Sequence, residues 1–339
     1  LSLNEPAWVV TLDGGTTHTR LALWRAGQVQ ARAHRAVGAR DVAHQGRAVL
    51  AQAVQDCMNE LLPGNPADGL VLASGAITSP QGLVDMAHVP TPAGPAELAA
   101  AMQRHDLPGI AAPCWWITGV RNHMPGPPAL AEVGALDMMR GEEVETLALL
   151  DRMHLAGPAT LLLPGSHFKL VRVDDQGRVA ACVTTLTGEV LQALTMHTLI
   201  RTSLDGRFAD HLDPGALRAG AAAARASGLS RAAFTVRVLD VNGLLDRNAR
   251  ACWLLGAVLA DDLRVVATER ARHPEGPLLL AGKPLLRDSL ALLLADQGLD
   301  VQAATDDQQA DLAGRGALRL AQARGLLPDP WPAARGAAA

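Results

Sequence analysis

The chain has 339 residues, 49% of them apolar, and a formal charge of −4; that length exceeds one ordinary domain and suits two, each with apolar sequence enough for a core. No basic run stands out, which weighs against a nucleic-acid partner or an anionic membrane surface. The longest apolar stretch, Ala251–Ala260, falls well short of the ~18 residues that span a bilayer, and it reads as a buried helix.

With no Tyr and three Phe, the cores are predicted to be built from Leu, Val and Ala. The opening reads as a strand over Trp8–Leu12, a tight turn, a second strand over Arg20–Trp24, and a hairpin through Ala26-Gly27 into Gln28–His34. Helical spacing covers Arg47–Leu62 and stops at Pro63-Gly64. A short buried strand, Leu70–Ala73, runs into the polar turn Ser74–Ser79, and proline-rich loops follow at Val89–Pro95 and Pro125–Pro128. A helix is predicted from Glu142 into Met153. Strands follow at Ala159–Leu163 and Phe168–Val173, separated by Pro164-Gly165-Ser166-His167, and a hairpin at Asp174–Gly177 leads into Arg178–Thr185. Beyond Thr187 helices dominate, with an edge strand predicted at Thr235–Val238. Near the end come a strand into Gly282, a helix over Leu285–Gln297, an Ala-rich helix over Gln308–Arg324, and a Pro/Ala-rich tail from Pro328 expected to be loosely held.

The order strand, small polar turn, strand, hairpin, strand therefore occurs twice, from near residue 8 and from near residue 159. Two such openings, each followed by helical sequence, predict two duplicated α/β domains. The expected division is residues 1–145, residues 146–327 and a tail of 328–339. The four cysteines, Cys57, Cys114, Cys182 and Cys252, form no CxxC pair. They fit reduced core thiols and a cytoplasmic setting, and no charged-then-apolar leader opens the sequence.

Chemistry concentrates in the small-residue turns. In Asp13-Gly14-Gly15-Thr16-Thr17 the glycines let backbone amides approach an anion, and the hydroxyls add donors. A carboxylate beside such a cradle repels bare phosphate but suits a divalent cation lying between the two. Asp13, with Gly14, Gly15, Thr16 and Thr17, reads as half of a nucleotide–Mg²⁺ site, or else as an Asp-Gly hairpin capped by threonines. Gly165, Ser166 and Lys169 supply a second turn with a hydroxyl and a cation, although Lys169 reads equally as a solvated strand residue. No GxxxxGK[ST] and no GxGxxG after a strand is present, so P-loop and Rossmann readings fail. His18, His167 and His197 lack metal-ligand spacing.

Several blocks in order, Asp13–Thr17, Gly119-Val120-Arg121, Asp137-Met138-Met139-Arg140-Gly141-Glu142-Glu143, Leu163-Pro164-Gly165-Ser166-His167-Phe168-Lys169 and Thr187-Gly188-Glu189, resemble the 2-dehydro-3-deoxygalactonokinase family of the actin/hexokinase/Hsp70 superfamily, over about residues 8–325. The resemblance implies two ribonuclease H-like (actin-like ATPase) domains with an active-site cleft between them. It implies Mg²⁺-ATP-dependent phosphorylation of 2-dehydro-3-deoxy-galactonate at its terminal hydroxyl, in galactonate breakdown. One stretch departs from the family's pattern. Where relatives carry Gly-Met-Val/Ile-Gly-Ser, Gly-Trp and Ala-Pro-Tyr, this chain has Gly75–Ser79, Gly82-Leu83 and Met86-Ala87-His88, the region expected to line the sugar pocket.

On that resemblance Asp13 holds Mg²⁺, Gly14–Thr17 take phosphate oxygens, and Gly165, Ser166 and Lys169 grip phosphates from the second domain. Gly282, in Ala281-Gly282-Lys283-Pro284, resembles the superfamily's adenosine-contact glycine, or marks an ordinary strand-to-helix turn. By analogy with related kinases Glu142 is the first candidate for the base, with Glu143 and Asp137 open, since acids at a helix start also serve as caps. Arg121 and Arg140 are candidates for the substrate carboxylate, or structural ion pairs with those acids. Thr78, Ser79 and Gln81 are candidate hydroxyl contacts. Competing readings are a non-catalytic sugar-acid sensor, a kinase for another sugar acid, and an exopolyphosphatase- or acetate-kinase-like phosphotransferase; a homodimer is left open.

Overall fold

The computed structural model describes residues 6–329 and 331. Its first strands, β1 (Val9–Gly14), β2 (Thr19–Arg25) and β3 (Gln28–Arg35), form an antiparallel meander. The turn between β2 and β3 places both Ala26 (φ 48°) and Gly27 (φ 72°) in the left-handed region, the two-residue geometry that matches strand twist. Helices α1 (Ala39–Gln45) and α2 (Arg47–Leu61) lead to β4 (Leu70–Gly75), which pairs parallel with β1. Next come β5 (Val89–Pro90), α3 (Pro95–Ala101), β6 (Gln103–Arg104), β7 (Cys114–Trp116), β8 (Val120–Arg121), β9 (Met138–Met139) and α4 (Glu142–Arg152). The main sheet runs β3-β2-β1-β4-β7-β6, and β5, β8 and β9 make a small separate sheet.

The second series is β10 (Ala159–Leu163), β11 (Phe168–Val173) and β12 (Val179–Thr185), followed by α5 (Thr187–His197), α6 (Arg201–Leu204), α7 (Pro214–Ser227), α8 (Leu229–Val241) and α9 (Arg247–Arg272). Then come β13 (Leu278–Leu280), α10 (Pro284–Ala295), β14 (Val301–Ala303) and α11 (Leu312–Ala323). This sheet runs β12-β11-β10-β13-β14, with β13 parallel to both β10 and β14. Both sheets therefore share one plan: an antiparallel meander whose first strand continues into parallel neighbours. That is the ribonuclease H-like order, and it occurs twice.

Two compact units contain these sheets. One holds the residues up to Gly157, Asp174–Cys182 and those from Ala310; the other holds Pro158–Val173 and Val183–Gln309. This division differs from the boundaries expected at 145 and 327, since the first unit keeps the whole of α4, the segment Asp174–Cys182 and α11. A Cβ on Gly314 would stand 2.6 Å from Trp24, and one on Gly316 would overlap the Val144 carbonyl. Only glycines let the helix lie that close to β2 and α4.

The first core uses more tryptophan than composition suggested. Trp8, Trp24 and Trp116 are fully buried, and Trp24 Nε1 donates to Thr11 Oγ1 at 2.8 Å while Trp116 Nε1 donates to the His105 carbonyl at 2.7 Å. Buried indoles keep their N–H groups bonded. Leucines from β10, β13, α9 and α10 dominate the second core. All four cysteines are buried and none is held in a disulfide, and among the described residues no helix is long and apolar enough to cross a membrane.

One predicted element is corrected. Thr235–Val238 is not an edge strand but lies within α8. The alternation in Thr-Val-Arg-Val suggests a strand locally, but Ala232, Ala233 and Val236 bury one helical face, and burial outweighs a four-residue preference. In the tail, Pro328 and Asp329 are exposed and Trp331 is buried, and the rest of that expectation, at residue 330 and at 332–339, falls outside the described residues.

Candidate functional site

In the first unit the site is assembled by glycines. Asp13 is the next-to-last residue of β1, opposite Arg20 on β2 and beside Ser74 on β4. A Cβ on Gly14 would overlap Ile77. Gly75 has φ +88° and ψ −162°, and its Cβ would stand 2.7 Å from the Gly14 carbonyl oxygen and 3.2 Å from Asp13 Oδ1. Gly141, with φ +111°, would place a Cβ 3.3 Å from the Gly75 Cα. Gly14 thus lies under the Ile77 side chain while Gly75 and Gly141 pack backbone on backbone, and the end of β1, the 3-10 turn Ala76–Thr78 and the start of α4 meet closely.

The turn after β1 is braced from behind, the Ala39 and Arg40 amides donating to the carbonyls of Gly15 (3.1 Å) and Thr16 (3.0 Å). Gly15 N–H donates to the His18 carbonyl at 2.8 Å, and Thr17 Oγ1 lies 2.8 Å from His18 Nδ1. Among the described residues the Thr16 and Thr17 amides have no protein acceptor, which leaves them available to an anion.

Carboxylates gather at the same place. Asp13 Oδ2 is 3.1 Å from an Arg20 terminal nitrogen; burial raises its pKa, opposed by that guanidinium. At the start of α4 the three candidate bases separate. Glu142 is half-buried and accepts the Arg140 amide at 3.0 Å. Glu143 is fully buried and folds back so that both oxygens accept the Gly141 amide, at 2.9 and 2.8 Å. Burial, reinforced by Glu142, pushes its pKa up to about 8. Asp137 precedes β9, with its carbonyl accepting the Asn122 amide at 2.9 Å and its own Oδ1 accepting the Met138 amide at 2.7 Å.

Glu145 is the residue that sequence reasoning missed. Burial, with repulsion from Asp13 and Glu142, pushes its pKa up to about 8, so it lies within electrostatic reach of both. The signal was available: Glu142 and Glu145, three residues apart, share a helix face, whereas Glu143 turns away.

Other expectations fare differently. Arg140 donates to the Thr78 carbonyl (2.6 Å), Thr78 Oγ1 (3.0 Å) and the Met86 carbonyl (2.7 Å), with His88 Nδ1 at 3.3 Å. It pins the loop between Thr78 and His88, and its terminal nitrogens are engaged there rather than open to a carboxylate or paired with Glu142, Glu143 or Asp137. Thr78 is fully buried, its hydroxyl donating to the Gly75 carbonyl at 3.0 Å. Ser79 donates to the Ala76 carbonyl at 2.6 Å, and Gln81 is exposed. Arg121 is exposed on β8, with no ion pair among the described residues.

In the second unit the turn Pro164–His167 joins β10 to β11. A Cβ on Gly188, in the first turn of α5, would overlap the Gly165 carbonyl and stand 2.7 Å from the Ser166 Cα. A Cβ on Gly282 would stand 3.0 Å from Pro164 Cγ, and the Gly282 amide donates to Gln309 Oε1 at 2.8 Å. Gly165, Ser166 and Gly282 thus share one end of the sheet, and among the described residues the amides of Gly165 and Ser166 have no protein acceptor. Lys169 is not solvated: it is buried on β11, its Nζ 2.7 Å from Thr184 Oγ1.

The donor set bears on a cation. Among the described residues no group of three or more His, Cys, Asp or Glu is placed to hold a metal. Mg²⁺ is ordinarily held by one or two carboxylates plus substrate phosphates, a role for which Asp13, at the foot of the amide turn, is suited.

Comparison with known proteins gives one family. The family model described as 2-keto-3-deoxy-galactonokinase matches residues 13–318. Among solved structures, a putative 2-dehydro-3-deoxygalactonokinase from Sinorhizobium meliloti superposes with a TM-score of 0.73 at 24% identity, covering 93% of this chain and 98% of that one. The activator of the 2-hydroxyisocaproyl-CoA dehydratase from Clostridium difficile, with bound ADPNP, superposes with a TM-score of 0.49 at 9% identity, over 94% of this chain and 96% of that one. No curated protein matches the chain.

Proposed function

Because the chain belongs to the 2-keto-3-deoxy-galactonokinase family, we propose that it transfers the γ-phosphoryl group of ATP to the C6 hydroxyl of 2-dehydro-3-deoxy-D-galactonate, yielding the 6-phosphate and ADP in galactonate breakdown. The observation that carries this reading is the packing of Gly14, Gly75 and Gly141, which brings an amide turn, a metal-suited carboxylate and the acids of α4 to one place.

Each residue then has a task. The amides of Thr16 and Thr17, which the Gly15 amide's bond to His18 leaves as the open donors of the first turn, and those of Gly165 and Ser166 take phosphate oxygens, and Gly282 would contact the adenosine. Asp13 holds Mg²⁺, which when bound neutralises charge on the triphosphate. Glu142 accepts the proton of the C6 hydroxyl as that oxygen attacks the γ-phosphorus. Of the three candidate acids it is the one that is half-exposed at the start of α4, Glu143 being sealed beneath the helix and Asp137 lying before β9. Arg121, exposed and without an ion pair among the described residues, binds the substrate carboxylate in the bidentate fashion of a guanidinium. Arg140 acts indirectly by holding the Thr78–His88 loop.

A coupled ADP-release assay over the galacto and gluco epimers and the plain aldonic acids tests the reading. Turnover is expected with the 2-dehydro-3-deoxy acids, fastest with the galacto form. No turnover with any acid, alongside measurable sugar-acid binding, identifies a sensor instead.

A further inference from the structure

Asp262 sits in the middle of α9, fully buried, and has no part in the chemistry above. It accepts the Thr185 hydroxyl at 2.6 Å, both its oxygens lie 2.7 Å from the Thr187 hydroxyl, and the two hydroxyl oxygens are 2.6 Å from each other. Among the described residues no Lys, Arg or His is paired with it, and the charge that bears on it is that of Asp261, which has the same sign. An enclosed carboxylate without a counter-ion is a costly choice where a neutral side chain could take the same hydroxyls.

The position of its partners suggests what the carboxylate accomplishes. Thr185 ends β12 and Thr187 begins α5, so Asp262 clamps the junction between them from both sides. The residues immediately beyond are those that touch the Gly165–Ser166 turn. Gly188 lies against Gly165 and Ser166, the Glu189 amide donates to the Ser166 carbonyl at 3.1 Å, and Glu189 Oε1 is 3.3 Å from His167 Nε2. The carboxylate does not cap α5, because it takes side-chain hydroxyls and no backbone amide of the helix. Its effect is to fix where the first turn of α5 sits.

We propose that Asp262 is a positioning residue: through Thr185 and Thr187 it locks the first turn of α5 behind the Gly165–Ser166 turn and so sets the geometry in which that turn grips the triphosphate. This rests on the nucleotide role assigned to the turn above. The charge matters because both oxygens of an ionised carboxylate accept from the hydroxyl pair, whereas a carboxamide offers one acceptor and one competing donor.

The test uses the full chain and three variants, Asp262→Asn, Thr187→Val and Thr187→Ser, with steady-state kinetics in ATP and in the sugar acid and a thermal melt of each. Asp262→Asn and Thr187→Val are expected to raise KM for ATP about tenfold, the lower end of what losing an outer support does to a ligand site, with KM for the sugar acid within about twofold of wild type. Thr187→Ser, which keeps the hydroxyl, is expected to restore the wild-type KM, and Asp262→Asn to melt no lower than wild type. Folded Asp262→Asn or Thr187→Val with an unchanged KM for ATP overturns the proposal. So does a rise in both KM values that Thr187→Ser fails to rescue, which marks a general structural defect. Should Asp262→Asn fail to fold, the Thr187 pair decides alone. A wild-type chain that neither binds nor turns over ATP ends the nucleotide reading itself, an outcome visible without any variant.

Discussion

Replacing Gly75 by alanine tests the glycine packing on which the active-site reading depends. At φ +88° and ψ −162° the residue occupies a region that is essentially reserved for glycine, and a side chain there costs roughly 1–3 kcal/mol. The added methyl also meets the Gly14 carbonyl oxygen at 2.7 Å and Asp13 Oδ1 at 3.2 Å, so backbone must move, which adds about 1–3 kcal/mol as for other overpacked sites. The sum, roughly 2–6 kcal/mol, is a large share of the ~5–15 kcal/mol typical of a folded protein. Gly64→Ala is the control: it too lies at positive φ (+85°), but its Cβ would meet nothing within 4 Å, leaving only a backbone cost of roughly 1 kcal/mol. Trp8, Trp24, Trp115 and Trp116 all lie in the first unit, so tryptophan fluorescence during urea unfolding reports chiefly on it. The expected order of midpoints is wild type, then Gly64→Ala, then Gly75→Ala well below, with kcat of Gly75→Ala down at least tenfold where it is still folded, about 1.4 kcal/mol of barrier. Equal midpoints for the two variants, with full activity in Gly75→Ala, would falsify the claim that close backbone contact builds the site.

Three further outcomes follow from the same geometry. Glu142→Gln should lower kcat by roughly 10²–10⁴ with little change in KM, the size of a lost general base, whereas Glu143→Gln, sealed under the helix, should retain kcat; the reverse pattern would move the base to Glu143. Arg140→Lys loses the planar fork that spans the Thr78 and Met86 carbonyls and should cost about 2 kcal/mol in stability and raise KM for the sugar acid, seen by melting and kinetics; a wild-type KM would detach the loop from the sugar pocket. For Asp262, whose folded pKa is raised from 3.8 to about 6, the native state binds the extra proton, so stability should fall as pH rises from about 4 to about 6 and level off above, by about 3 kcal/mol in all. Asp262→Asn should remove that slope from unfolding curves measured across the interval, and an unchanged slope would mean that another group produces it.

The strands were legible because their apolar runs end in unmistakable punctuation. Ala159–Leu163 stops at Pro164-Gly165, and Gln28 follows Ala26-Gly27, so local chemistry alone set the boundaries there. The helical part of the second unit was legible in kind but not in detail: Thr235–Val238 alternates like a strand, and only its packing with Ala232 and Ala233 turns it helical. Long-range facts were the least readable. That Gly314 and Gly316 bring α11 against Trp24 and Val144 depends on residues far apart in sequence. The same holds for Arg140, which in sequence is an ordinary cation beside two acids but in the fold reaches back to carbonyls at Thr78 and Met86. Glu145 was within reach, since the helical period by itself sets it on the face of Glu142.

The duplication explains why the two small-residue turns differ in composition though they follow equivalent strands. Among the described residues both leave amides without a protein acceptor, but the first is preceded by an acid, Asp13, and the second by Leu163-Pro164. A carboxylate at the second turn would place negative charge against any phosphate bound there, whereas the one at the first turn suffices to hold a cation. The second turn is stabilised instead from below, by the close approach of Gly188 and the hydroxyl clamp on Asp262, which keeps negative charge behind a layer of threonine. Introducing an acid at the second turn, as in Ser166→Asp, should therefore weaken ATP binding by charge alone, and the loss should shrink with added salt, because screening reduces a Coulombic repulsion and leaves a steric one untouched. A salt-independent loss would assign the effect to the shape of the turn and remove the electrostatic reason for the asymmetry.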